Sequence, residues 1–148
     1  GDKALFKAMV NIQGQATSGV FTVGQAARAA GLDGPQALVA ERAALFRERR
    51  DLVVEMLNAA PGINCHKPEG AFYVFPNIAG CIGKTTKAGT RIETDQDFAL
   101  ALLEEKHVGT VHGAAYGMSP YIRVSYATDT ESLREACGRI QEFCRELT

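Results

Sequence analysis

Hydrophobic and polar positions repeat with different periods in the two ends of the chain. Over residues 2–13 and 20–31 the apolar residues recur at helical spacing, which predicts two short helices joined by the polar link GQATSG and closed by GLDGP. The Asp33-Gly34-Pro35 turn marks a boundary, because Gly and Pro punctuate and Pro suits the first turn of a following helix. From residue 36 to about 59 the pattern predicts one long helix. Leu38, Leu45 and Leu52 form one row and Val39, Phe46 and Val53 its neighbour, while the charged run RERRD (47–51) mostly faces away as a solvated surface. At about 1.5 Å per residue this helix would be roughly 36 Å long, enough to bridge two domains.

After the APG break the period changes. AFYVF (71–75), VGTV (108–111) and YIRVSYA (121–127) read as strands. Between the first two lie a loop of Gly, Lys and Thr and a helix starting near Asp95 with Thr94 as its N-cap. The last helix opens with a capping box, Thr128 and Glu131. Its apolar positions, Leu133, Ala136, Cys137, Ile140, Phe143, Cys144 and Leu147, repeat at three and four and should pack flat against the strands. The expected fold class is α/β, a two-layer unit from about residue 60 onward. The strandless helices before residue 34 belong to a second domain, which gives the division 1–35, 36–60 and 61–148.

Composition narrows the class. A chain of 148 residues, 46% hydrophobic and 22% charged, can bury a sizeable core. A formal charge of −1 gives no general attraction for nucleic acid or anionic membranes, and no apolar run approaches a membrane span. A soluble, intracellular, cytoplasmic protein is expected. The four cysteines show no C-x-x-C spacing and read as reduced core thiols; a metal site from Cys65 and His66 with His107 or His112 would need distant segments to converge.

Two tempting motifs fail. GKT at 83–85 lacks the glycine that a phosphate loop needs five residues earlier, where Ile78 stands, so it reads as a plain flexible loop. GMSPY ends in Tyr121 and is no nucleophile elbow. His66, His107 and His112 have no carboxylate at a telling spacing. Arg123 is the informative residue, an arginine in the middle of a half-buried strand. It is either an exposed strand-face arginine or a fixed fork that matches a carboxylate bidentately, and strand geometry alone leaves both open.

The motifs KPEGAFYVFPNI (67–78), VGTVHGAAYG (108–117) and YIRVSYATDTESLREACGRIQEFCREL (121–147) resemble, in order and spacing, the C-terminal part of the class I pyridoxal-phosphate aminotransferases, bacterial aspartate aminotransferases in particular. The opening GDKALFKAMVNIQGQATSG resembles the stretch that follows the cofactor lysine in that family, so the likeness covers essentially the whole chain. The resemblance implies the small C-terminal domain of fold type I, a long connecting helix and a helical remnant of the large domain. It also implies pyridoxal 5'-phosphate as cofactor, amino-acid and 2-oxo-acid substrates, a role in amino-acid metabolism and a homodimer.

Carried over residue by residue, Arg123 matches the arginine that binds the substrate α-carboxylate, and Phe72 matches an aromatic bordering the substrate pocket, though a core phenylalanine would look the same. The link at Thr17 and Ser18 resembles a segment near the dimer interface and active-site edge, though a plain loop is the preferred reading. His112-Gly113 stands where the family usually has Pro-Gly, which leads one to expect a differently shaped loop before the arginine strand. The family's Schiff-base lysine and phosphate-binding arginine match positions before residue 1. Lys3, Lys7, Lys67, Lys84, Lys87 and Lys106 do not stand in the active-site lysine context, so this stretch alone is expected to be inactive. The function implied is amino-group transfer between an amino acid, aspartate-like or aromatic, and a 2-oxo acid. A lyase or decarboxylase of the same fold would use the same arginine. A free-standing carboxylate-binding module is disfavoured, because the N-terminal helices would expose apolar faces.

Overall fold

A computed structural model of the chain describes residues 1–17 and 19–148 and divides into two compact units, Gly1–Glu41 and Arg42–Thr148. Ser18, and with it part of the expected interface link, lies outside the described residues. In the first unit, helix α1 spans Lys3–Ala16 and α2 spans Thr22–Asp33. The Asp2 carboxylate caps α1 by accepting from the amides of Ala4 and Leu5, and the Gln36 amide nitrogen donates to the carbonyls of Gly31, Leu32 and Gly34 at the end of α2. Neither helix buries a residue; Leu5, Phe6, Met9, Ile12, Phe21 and Leu32 are all exposed.

Helix α3 (Ala37–Asn58) has its working face near its C-terminal end. Val53 and Leu57 are fully buried and Phe46 packs against them, but Leu38 and Val39 are exposed, so the expected stripe is apolar along its whole length and buried over only part of it. The charged run also departs from expectation. Arg47 and Glu48 face solvent, whereas Arg50 turns inward and donates to the Pro68 carbonyl at 3.1 Å and to Asp51 at 2.8 Å. Its long side chain reaches an unpaired loop carbonyl that the helix row alone does not reveal.

The second unit contains a three-stranded antiparallel sheet in the order β1, β3, β2, where β1 is Tyr73–Val74, β2 is Val111–His112 and β3 is Ile122–Ser125, with helices α4 (Asp95–Lys106) and α5 (Thr130–Glu146). Register places Tyr73 opposite Ser125, and Val111 opposite Arg123. All three strands are shorter than predicted. Ala71 at φ 61 interrupts the first, and the second starts three residues late because α4 closes on a left-handed His107 whose exit is taken up by Val108, Gly109 and Thr110.

Thr94 caps α4 as expected, in a reciprocal capping box with Asp97. The cap of α5 is a correction. Asp129, not Thr128, accepts from the Ser132 amide at 2.8 Å, because it is the residue directly before the first helical position and its carboxylate is the stronger acceptor. Helix α5 contributes Leu133, Cys137, Ile140, Phe143 and Cys144 to one core with Ile122, Val124, Phe98 and Leu102, and the Phe98 and Phe143 rings meet edge to face at 5.3 Å.

The GKT segment is not an open loop. Gly83 donates to Ile92, Ile92 to Lys84 and Thr86 to Thr90, and Thr85 exchanges both backbone hydrogen bonds with Thr148. The four cysteines are free and buried, with the sulfurs of Cys81 and Cys144 4.0 Å apart. Among the described residues no group of three or more His, Cys, Asp or Glu is placed to hold a metal, and no helix is long and apolar enough to cross a membrane.

Candidate carboxylate site on the sheet

Strand alternation decides where Arg123 points. Ile122 and Val124 go into the core, fully buried and 9% exposed, so Arg123 stands on the opposite face of the central strand. Its guanidinium carbon lies 4.5 Å from the ring centre of Tyr73 and 4.7 Å from that of Tyr116. Tyr73 comes from β1. Tyr116 comes from the 3₁₀ turn Gly113–Tyr116 that follows β2. The two segments flanking β3 thus each supply one aromatic ring to the same cation.

Among the described residues Arg123 has no carboxylate partner, although Arg50, Arg91 and Arg139 each pair with an acidic side chain. A guanidinium carries five N–H donors in a rigid planar fork and never loses its charge near neutrality. Here the guanidinium carbon lies over two rings, and no acidic side chain among the described residues pairs with it. The arrangement can take a planar anion with two oxygens, which is a carboxylate.

The turn that carries Tyr116 is built from backbone. Gly113 donates to the Tyr121 carbonyl at 2.7 Å, and Met118 donates to the Gly113 carbonyl at 3.0 Å. Added at Gly113, a Cβ would overlap the Met118 carbonyl oxygen, so glycine is required there by close approach. His112 has φ −64 and ψ 142, which proline also adopts, so histidine does not by itself demand a loop different from that of a Pro-Gly sequence. His66 and Asn64 line a shallow depression with Phe75, Asn77 and Tyr121 on the Arg123 side of the sheet.

Phe72 is 42% exposed and its ring lies tilted against that of Tyr73 with centres 4.3 Å apart, one ring removed from Arg123. Sequence reasoning singled out Arg123 and Phe72 and missed Tyr73 and Tyr116. Tyr73 was within reach of it, since alternation puts it on the face opposite buried Val74; nothing local links Tyr116 to Arg123. The surroundings of Arg123 do not fit a Schiff-base cofactor. They are aromatic and supply no amine, and Lys67, Lys87 and Lys106 lie beside carboxylates elsewhere. The bonds from Glu142 and Glu146 raise the Lys106 pKa further, the reverse of what a nucleophilic amine needs.

The profile of the family described as aminotransferase class I and II matches residues 1–140. The chain is similar to the aspartate/prephenate aminotransferase of Cereibacter sphaeroides, with 53% identity over all of this chain and 37% of that protein. A similar match, 50% identical, is the aspartate aminotransferase of Rhizobium meliloti strain 1021. Its fold superimposes on the crystal structure of a Rhizobium meliloti aspartate aminotransferase with a TM-score of 0.92 and 49% identity, covering all of this chain and 37% of that one. An aromatic aminotransferase from Pyrococcus horikoshii OT3 follows at a TM-score of 0.79 and 33% identity, over 95% of this chain and 36% of that one. The chain therefore spans little more than a third of the length of the relatives it matches, and its α/β fold is that of fold type I aminotransferases. On the profile match and these identities, the chain belongs to the class I and II aminotransferases.

Proposed function

We propose that this chain is the C-terminal portion of a pyridoxal-phosphate-dependent aminotransferase that moves an amino group between an amino acid, aspartate-like or aromatic, and a 2-oxo acid. The observation that carries the reading is Arg123, a cationic fork on a rigid central strand with no acidic partner among the described residues. Family membership and relatives named for aspartate, prephenate and aromatic amino-transfer support it. Arg123 binds the α-carboxylate of the substrate and so orients its Cα; Phe72, packed against Tyr73, borders the pocket. The cofactor is read as held by other parts of the whole protein. Residues 1–35 are read as a piece of the large domain, residues 36–60 as the connection and residues 61–148 as the small domain. The whole protein is read as a cytoplasmic homodimer of amino-acid metabolism.

The test is Arg123→Ala in the whole protein. The variant should lose roughly 10- to 100-fold in kcat/KM for amino acids while the cofactor absorbance stays normal, the loss expected for one charge-assisted pair. Unchanged kinetics would remove the role. A companion test treats the 148-residue chain with pyridoxal phosphate and borohydride. Peptide mapping should find no single lysine labelled, and stoichiometric labelling of one lysine would place a cofactor site within this chain.

A further inference from the structure

We infer that Tyr73 and Tyr116 are positioning residues, which hold the Arg123 guanidinium so that only its edge is offered to a ligand carboxylate. The inference rests on the reading of Arg123 as the carboxylate site and adds what makes that site work. A free arginine side chain samples many rotamers, and a ligand that must freeze it forfeits affinity accordingly. A protein can restrain the cation in two ways. An acidic neighbour would fix it but would occupy the same donors that the ligand needs and cancel its charge. Aromatic faces fix it through the ring quadrupole and leave every N–H in the guanidinium plane free.

The structure shows the second arrangement. The guanidinium carbon is within 4.5 and 4.7 Å of the two ring centres, and the rings are themselves held. The Phe72 ring lies tilted by 43° against Tyr73 at 4.3 Å, and Phe75 meets Tyr116 edge to face at 5.7 Å and 86°. Phe72, Tyr73, Arg123, Tyr116 and Phe75 form one continuous array with the cation at its centre. Its members come from β1 and its flanks, from β3 and from the turn after β2, so that all three strands fix the direction of the fork. Because ring faces and not hydroxyls make the contact, the array needs aromatic rings at 73 and 116 and is indifferent to the phenolic oxygens.

The experiment uses the whole protein and measures, by calorimetry, the dissociation constants of a small 2-oxo acid and of its neutral amide for Tyr73→Phe, Tyr73→Leu, Tyr116→Phe, Tyr116→Leu and Arg123→Lys. Each leucine variant should weaken the acid by about tenfold and leave the amide unchanged, and each phenylalanine variant should stay within about twofold of the parent. Leucine variants with a native circular dichroism spectrum and unchanged acid binding, beside an Arg123→Lys variant that has lost it, overturn the positioning role alone. An Arg123→Lys variant that binds normally overturns the carboxylate reading beneath it. Should leucine at either place prevent folding, the Arg123 Nε–H resonance of the parent protein decides. Between two ring faces it is shifted upfield and rigid, and a resonance at the free-arginine position with fast side-chain motion overturns the inference.

Discussion

The hydroxyl of Tyr126 donates to the carbonyl of Ala71 at 2.8 Å, and Ala71 holds a left-handed backbone at φ 61. Tyr126 is 2% exposed, so a core side chain pins a strained residue immediately before Phe72 and Tyr73. For a residue with a Cβ this conformation costs about 1–2 kcal/mol, a cost that surrounding contacts must hold in place. Tyr126→Phe should lower stability by about 0.5–1.5 kcal/mol in urea denaturation, the range for one hydrogen bond. Ala71→Gly should stay within about 1 kcal/mol of the parent, since relief of the left-handed cost is offset by unfolded-chain entropy. Ala71→Val should be clearly worse than either. A Val variant as stable as the parent would show that residue 71 is not constrained.

Two glycines in one neighbourhood give opposite expectations. At Gly113 a Cβ would overlap the Met118 carbonyl and sit 2.7 Å from the Tyr121 oxygen, whereas at Gly109 nothing lies within 4 Å. Gly113→Ala must push the turn that carries Tyr116 away from β3, at a cost of about 1–3 kcal/mol. Gly109→Ala should be nearly neutral. Thermal melts of the two variants make the comparison, and equal melting temperatures would show that the turn yields freely.

The helices were legible in the sequence because their signals are local. Thr94 before Asp95 and the three-and-four spacing from Leu133 to Leu147 need no knowledge of the rest of the chain. The α5 cap was misplaced by one residue because Thr128 and Asp129 are both good caps, and only the backbone shows which one precedes the first turn. Strand limits were overread for a non-local reason. The apolar runs at 71–75 and 108–111 continue past the residues that find a partner, and pairing depends on β3 lying between them. Arg123 was legible through alternation and through the family motif. Of the rings beside it, Tyr73 lay within reach of the same alternation and Tyr116 did not, since it reaches Arg123 from a turn whose shape depends on Gly113 bonding to Tyr121.

The start of α4 predicts an acid dependence. Asp97 accepts from the Thr94 hydroxyl at 2.8 Å and from the Thr94 and Glu93 amides, and these bonds, the hydroxyl first, hold its carboxyl below the usual carboxylate value. Asp129 is lowered in the same direction by the Ser132 amide. A carboxylate with a depressed folded-state pKa lends stability above its unfolded value, near pH 4, and loses it as pH falls through the folded value. Stability should therefore fall on acidification below about pH 4. Thr94→Ala should cost about 1 kcal/mol at neutral pH and flatten that acid limb, because Asp97 loses the hydroxyl that donates to it. A variant whose acid limb parallels that of the parent would show that the cap does not set the Asp97 pKa.

At the alkaline end the buried thiols should act with the opposite sign. Burial pushes Cys137 up to about 11, and burial, followed by the charge of Cys137, does the same to Cys65. An unfolded thiol ionises near pH 8.5–9, so between roughly 9 and 11 the unfolded chain releases a proton that the folded chain keeps. Stability is then fully present below about pH 9 and is lost as pH rises toward the folded value. Each such thiol steepens the loss by at most about 1.4 kcal/mol per pH unit. Cys137 is 1% exposed in the core, so its thiolate has no route to solvent short of unfolding. Tyrosines and lysines titrate in the same range, and the difference between parent and Cys137→Ala isolates the thiol from them. Urea midpoints measured for both at pH 7, 9 and 10 should converge as pH rises, the variant losing less. Parallel profiles would mean that Cys137 can ionise in the folded chain, and that the packing of α5 on this core is looser than its burial implies.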